Sequence, residues 1–170
     1  MTLKRSTAVL VLMSLTAGSG QALADGSGSL VAKGQATVLT NAYAYRHADD
    51  FHPDKQVTTV VFSDKPIDAA KINGAKNRED ELKSQLRVQH ASSVELNIRP
   101  DGSVQNVNTA SDGSSGSASG SGWYKIDLKQ NDDKRIEGTF RSSDEKDKTE
   151  GSTGFFDLKF AFNLAAPPSK

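Results

Sequence analysis

The 170-residue sequence contains no cysteine. This absence excludes disulfide bonds, a cysteine nucleophile and lipidation at an N-terminal cysteine. Histidine occurs three times, and the Gly-x-Ser-x-Gly pattern of serine hydrolases does not occur. We therefore expect the protein not to be an enzyme, with an enzyme whose site is not recognisable as an alternative.

The chain also lacks a long hydrophobic run. Its longest apolar stretch, Ala8 to Leu15, falls short of the roughly 20 residues that a membrane-spanning helix needs. Lys4 and Arg5 precede this stretch, and Ala22-Leu23-Ala24 follows it, which is the pattern of a Sec-type signal peptide. The sequence predicts that residues 1–24 are removed and that the protein is bacterial and periplasmic or secreted, with no membrane insertion after cleavage.

No excess of basic residues is present. The whole chain carries 21 Lys and Arg against 21 Asp and Glu, and loss of Lys4 and Arg5 leaves 19 against 21, a formal charge of −2. Nucleic acids and anionic membranes select for a basic face. We therefore expect no nucleic-acid partner.

Alternating apolar and polar residues predict a mainly β fold. The predicted strands are 36–46, 57–63, 94–99, 103–108, 124–129, 135–141 and 156–164, and the last three form a meander with one apolar face. That face needs a cover from the earlier strands. The predicted fold is an antiparallel β-sandwich or a partly open β-barrel with one short helix at Asn77 to Gln89.

Serine and glycine dominate two segments. Residues 25–29 read as a flexible leader, and residues 111–122 read as a disordered loop, because neither segment can bury much apolar surface. The sequence thus predicts one β-rich domain over residues 30–164, followed by a tail at 165–170.

Four short motifs resemble a group of exported bacterial β-rich domains of unknown function. The motifs are AYAYR at 42–46, VVFSDKPI at 60–67, RIEGTF at 135–140 and FDLKF at 156–160. The similarity runs from about residue 36 to residue 164 and implies the same export and fold. The loops at 111–122 and 142–150 depart from the pattern.

One cluster has the side chains of a metal site. His47, Asp50 and His52 lie within six residues of one another, and imidazole with carboxylate suits a divalent transition metal. A periplasmic metal-binding protein using His47 and His52 is therefore one alternative function. A polar connection between two strands is the other interpretation of this cluster.

Aromatic residues are few, at 6% of the chain, and several of them fall close together. Tyr43, Tyr45 and His47 share one face of a predicted strand, and Trp123 is a candidate to extend that surface. They form either a small recognition face or part of the core. We accordingly predict a non-catalytic binding protein without a cofactor, of inhibitor or immunity type, whose partner is a protein or a cell-envelope component.

Overall fold

The structure is a computed structural model that describes residues 25–49, 51–111, 114–143 and 154–164. The predicted signal peptide at 1–24 and the predicted tail at 165–170 lie outside the described residues. The described chain contains ten β-strands and two α-helices.

The strands form two antiparallel sheets of five strands each. In spatial order the first sheet contains β2 (Gln35–Leu39), β1 (Asp25–Ala32), β10 (Phe155–Asn163), β9 (Arg135–Ser142) and β8 (Tyr124–Asn131). The second sheet contains β3 (Asn41–Ala48), β4 (Gln56–Ser63), β5 (Ser93–Ile98), β6 (Val104–Ser111) and β7 (Ser114–Ala118). In the first sheet the first and last strands of the described chain, β1 and β10, are neighbours. In the second sheet each strand lies beside the next strand in the sequence.

The main core lies between the two sheets and confirms the predicted β-sandwich. Phe160 pairs in register with Gly138, and Leu158 pairs with Phe140, so that alternate side chains of β10 point to the same face. On the second sheet Phe62 contacts the ring of Phe160, with centroids 6.3 Å apart. The fully buried aromatic side chains of this core are Phe62, Phe140, Phe156, Phe160 and Phe162.

Two helices, not one, cover part of the outer face of the second sheet. Helix α2 (Arg78–Val88) matches the predicted segment, and the Asn77 side chain accepts hydrogen bonds from the first-turn amides as an N-cap. Helix α1 (Ala69–Gly74) was not predicted, because six residues give too short a periodic pattern to recognise. It begins at the Asp68 cap, whose side chain accepts a hydrogen bond from the Lys71 amide.

The single strand predicted over residues 36–46 is wrong. The structure divides it into β2 and β3, which belong to different sheets, with the crossing at Thr40. Leu39 and Ala42 both pack into the core between the sheets. One continuous strand cannot place two residues three positions apart on the same face. The alternation of inward and outward residues therefore shifts by one position where the chain crosses between the sheets.

The predicted flexible leader at residues 25–29 is also wrong, since it forms most of β1. Strand β1 pairs with β10 on one side and with β2 on the other. Gly26 and Gly28 occupy the inward positions, and a Cβ atom on Gly26 would lie 2.6 Å from the Cβ of Ala42. Glycine is needed here for close approach, because no larger residue fits between the strands.

The disordered loop predicted at residues 111–122 is contradicted at its centre. Residues 112 and 113 lie outside the described part, but β7 occupies Ser114–Ala118 and pairs with β6 in register from Val107 to Ser111. Gly116 and Ala118 lie opposite core-facing residues of β6. Main-chain pairing with β6 therefore orders a segment whose side chains bury little apolar surface.

Candidate functional site

The outer face of the second sheet is covered by the helices over β3 and β4. Tyr43, Tyr45 and Val61 point outward from these strands and pack against Ile72 of α1 and Leu82 of α2 in a second hydrophobic cluster. Beyond this cluster the outward positions of β5, β6 and β7 carry polar or small side chains, and those of Ser93 and Glu95 on β5 are still buried. The candidate site lies where the apolar cluster gives way to these polar side chains, beside α2.

The two tyrosines predicted as binding residues are buried beneath the helices. Tyr43 is 9% exposed and Tyr45 3% exposed, with ring centroids 5.8 Å apart. The Tyr43 hydroxyl donates a hydrogen bond to Oδ1 of Asn73 over 2.7 Å. Burial raises the pKa of both phenols, and the Glu95 carboxylate raises the pKa of Tyr45 further. These side chains attach the helices to the sheet and do not form an exposed recognition face.

His47 continues the same row and begins a chain of polar contacts across four strands. Its Nε2 lies 2.8 Å from the Thr59 hydroxyl, which donates to Oδ1 of Asn97 over 2.5 Å. Asn97 in turn donates from Nδ2 to Oδ1 of Asn106 over 2.7 Å. The chain fixes the orientation of each side chain, as fully paired polar networks do.

The predicted metal residues are only partly described. Asp50 lies outside the described residues, and both ring nitrogens of His47 already have protein partners, Nδ1 with the Ala48 carbonyl at 2.8 Å and Nε2 with Thr59. His52 is exposed. Within the described ranges no three His, Asp or Glu side chains are grouped to hold a metal ion. Metal binding by His47 would therefore require one of its present hydrogen bonds to break.

Asp49, beside this cluster, stabilises the loop between β3 and β4. Its Oδ1 accepts hydrogen bonds from the Phe51 and His52 amides at 2.8 and 3.2 Å. The Phe51 amide lowers the pKa of this carboxyl, and the His52 amide and the Arg99 guanidinium lower it further. The carboxylate is thus committed to a structural role in the loop.

Trp123 does not extend the tyrosine surface, which corrects the prediction. Its ring packs edge-on against Tyr124 and Phe156, with centroids 5.1 and 5.9 Å away, and it borders the core between the sheets. Tyr43 and Tyr45 lie on the opposite face of the second sheet. The expected aromatic face of Tyr43, Tyr45, His47 and Trp123 is therefore not assembled.

An open groove runs between α2 and strands β5 to β7, with a volume of about 710 Å³. We call it the α2 groove. Its walls and floor are formed by side chains of α2, of the turn after it and of the three strands, namely Lys83, Leu86, Arg87, His90, Ala91, Ser93, Glu95, Asn108, Thr109, Ala110, Ser111, Ser115, Gly116 and Ser117. The helix supplies the cationic groups, and the strands supply hydroxyls, an amide and one carboxylate.

Among the described residues that line the groove, Glu95 is the one acidic side chain, and it is only 8% exposed. Its Oε1 accepts hydrogen bonds from Nδ2 of Asn108 at 2.9 Å and from Nδ2 of Asn97 at 3.4 Å. Lys83 lies near enough for the Glu95 carboxylate to contribute to the raised pKa of its ammonium, although the hydrogen bond to Glu79 is the main cause. Glu95 is held in place by neutral amides.

Sequence reasoning did not identify Glu95 or its amide partners. On β5 Glu95 and Asn97 alternate with apolar residues, which is also the pattern of an ordinary solvent-facing strand. A signal was nevertheless present. The outward residues of β5 and β6 include three asparagines, Asn97, Asn106 and Asn108, where the strands of the first sheet carry lysine, arginine and aspartate. Amides in those places indicate a face that is partly removed from water.

No helix among the described residues is both long and apolar enough to cross a membrane. Comparison of the chain with protein-family models, with curated proteins and with solved structures finds no match. The resemblance to exported bacterial domains therefore remains a prediction from the four motifs.

Proposed function

We propose that the protein acts outside the cytoplasm as a non-catalytic binding protein and that its ligand binds in the α2 groove. Export is supported by the signal-peptide pattern of residues 1–24, and the motifs at 42–46 and 60–67 resemble those of other exported domains. The ligand is a small molecule or a short segment of a larger cell-envelope component.

The observation that carries this proposal is the composition of the groove. Small side chains such as Ala110, Ser115 and Ser117 line one side, whereas Lys83 and Arg87 of α2 line the other. A volume of about 710 Å³ lies within the range of roughly 300–1,000 Å³ found for ligand sites. The polar groups at its base are already oriented by hydrogen bonds to one another, which lowers the cost of ordering them on binding.

The experiment compares two alanines on the outer faces of the two sheets. Ala110 lines the α2 groove, and Ala161 lies on the outer face of β10 in the first sheet. Ala110→Trp fills the groove, whereas Ala161→Trp adds the same side chain far from it. The mature chain and both variants are incubated with a bacterial cell-envelope extract, recovered and examined by native mass spectrometry.

We expect an added mass on the wild-type chain and on Ala161→Trp, and its loss from Ala110→Trp. Circular dichroism of both variants checks that each sheet still folds. An added mass that persists on a folded Ala110→Trp variant would place the ligand elsewhere, and the absence of any added mass from the wild-type chain would contradict the proposal.

A further inference from the structure

Glu95 is a buried carboxylate that makes no ion pair with a described residue. Within the described part of the chain no Lys, Arg or His nitrogen lies within 4 Å of it; Lys83 is its cationic neighbour, but the ammonium of Lys83 pairs with Glu79. The hydrogen bonds from Asn97 and Asn108 both reach Oε1 of Glu95. Neutral amides orient a carboxylate but do not neutralise it, and a buried charge is costly until it is paired. The groove into which Glu95 opens is therefore suited to a ligand that brings a positive charge.

The opposite wall of the groove carries the opposite sign. Lys83 and Arg87 line it from α2. The charge of Lys83 is already shared with Glu79 by an ion pair, whereas no carboxylate of the described residues is paired with Arg87. A ligand with a second positive charge would be repelled by this wall, and a ligand with a negative charge would be attracted.

We infer that the α2 groove binds a zwitterionic molecule, a short peptide with free termini, whose ammonium group pairs with Glu95 and whose carboxylate group pairs with Arg87. The inference rests on the proposed function and specifies its ligand. A charge-assisted hydrogen bond at each end fixes the direction of the peptide in the groove.

Size and shape favour a peptide over a single amino acid. The groove has the volume of a site for a drug-sized molecule. Ala110 leaves space for an extended backbone, while the hydroxyls of Ser115 and Ser117 can donate to or accept from its peptide groups. A lone amino acid would leave much of the groove empty.

The test uses tetraalanine as the probe, because its side chains are small and its charges lie only at the termini. Amide chemical shifts of the ¹⁵N-labelled mature chain are followed during titration with tetraalanine, with its N-acetylated form and with its C-terminal amide. A single alanine is titrated as well. We expect tetraalanine to shift amides of β5 to β7 and α2 and to bind more tightly than alanine, and each blocked form to bind about tenfold more weakly.

Two variants, each with a matched control, test the contacts of the two ends of the peptide one at a time. Glu95→Gln keeps the size of the side chain and an acceptor for Asn97 and Asn108, whereas Asp157→Asn removes one negative charge from the exposed outer face of β10. In the same way Arg87→Gln is matched by Arg141→Gln on β9. Glu95→Gln should weaken tetraalanine about tenfold and should bind the acetylated peptide no worse than the wild-type chain does. Arg87→Gln should likewise weaken the binding of tetraalanine about tenfold and should bind its C-terminal amide no worse than the wild-type chain does. The controls Asp157→Asn and Arg141→Gln should bind tetraalanine as the wild-type chain does.

The inference is overturned if tetraalanine leaves the groove amides unshifted at millimolar concentration, or if the blocked peptides bind as tightly as the free one. It is also overturned if a folded Glu95→Gln variant binds as the wild-type chain does. These results are distinct from failure of the proposed function, because an envelope mass that Ala110→Trp abolishes would still locate a ligand of other chemistry in the groove.

Discussion

The outer faces of the two sheets differ in charge and in exposure. On the first sheet Lys125, Asp127 and Lys159 are exposed, and Glu137 makes ion pairs with Lys129 and Arg135 at 3.7 and 2.8 Å. Such surface pairs contribute little stability, about 0–1 kcal/mol each. The outer face of the first sheet is therefore a solvent-exposed surface.

The outer face of the second sheet is constructed differently. Over β3 and β4 it is apolar and covered by helices, and over β5 to β7 it changes to amides, hydroxyls and the buried Glu95. Both sheets show the same alternation of apolar and polar residues along their strands. The kind of polar residue, neutral amide or exposed charge, therefore distinguishes the face that borders the groove from the face that is only solvated.

The sharpest test of the first sheet is Phe160→Ala. Phe160 is 1% exposed in the core between the sheets, so its removal should lower the free energy of unfolding by about 3–5 kcal/mol. That loss is a large part of the roughly 5–15 kcal/mol that stabilises a typical domain. Urea denaturation of the mature chain measures it.

The matched control for this variant is Lys159→Ala, the neighbouring residue on the solvated face. Its effect should lie within about 0.5 kcal/mol of zero. If both substitutions have equally small effects, the inward register of β10 is wrong and the distinction between its two faces disappears.

The second sheet has its own buried layer, which Leu82→Ala tests. Leu82 is completely buried between α2 and the sheet, and its truncation should cost about 2–5 kcal/mol. Val88 on the same helix is 73% exposed, so Val88→Ala should be nearly neutral. Thermal unfolding of the two variants measures the difference, and an equally small loss from both would show that the helices are not anchored to the sheet as described.

A smaller effect is expected from Gly28→Ala in β1. A Cβ atom at this position would lie 2.7 Å from the Asp157 carbonyl oxygen and closer still to a methyl group of Leu158. Overpacking of this kind costs about 1–3 kcal/mol. Ser29→Ala, on the other face of the same strand, should leave the urea midpoint almost unchanged, and a neutral Gly28→Ala would mean that β1 does not pack closely against β10.

The two strands that are rich in serine and glycine, β1 and β7, show which part of the fold the sequence does not predict. Six strands, α2 and its Asn77 cap follow from local alternation and capping patterns, and the structure contains them. Strands β1 and β7 were not predicted, because their serine and glycine residues carry no local β signal and only pairing with β10 and β6 orders them. The partner of β1 lies more than 100 residues away in the sequence, and the partner of β7 is the preceding strand, but in both cases the order comes from main-chain pairing that serine and glycine side chains do not signal.

The same limit applies to the site. Tyr43, Tyr45 and His47 were correctly placed on one face, but the sequence does not reveal that α1 and α2 cover the two tyrosines. Glu95 reads as an ordinary outward residue until the position of α2 is known. The candidate site therefore follows from tertiary packing, while its individual strands follow from the sequence.

The smallest expected effect concerns alkaline pH and the tyrosines beneath the helices. Burial raises the pKa of Tyr43 and of Tyr45 above the usual value of 10.0, so the folded protein favours the neutral phenols. Above about pH 10 the unfolded chain releases these protons while the folded chain retains them, and stability falls by up to about 1.4 kcal/mol per pH unit for each group. Their contribution is therefore fully present below pH 10 and is lost as the pH rises.

Urea unfolding at several alkaline pH values measures the slope of stability against pH. Tyr45→Phe should flatten it, whereas Tyr124→Phe, which removes a phenol from the first sheet, should retain the loss that Tyr43 and Tyr45 cause. An unchanged slope in Tyr45→Phe would contradict the burial of this phenol beneath α2 and with it the covered half of the second sheet.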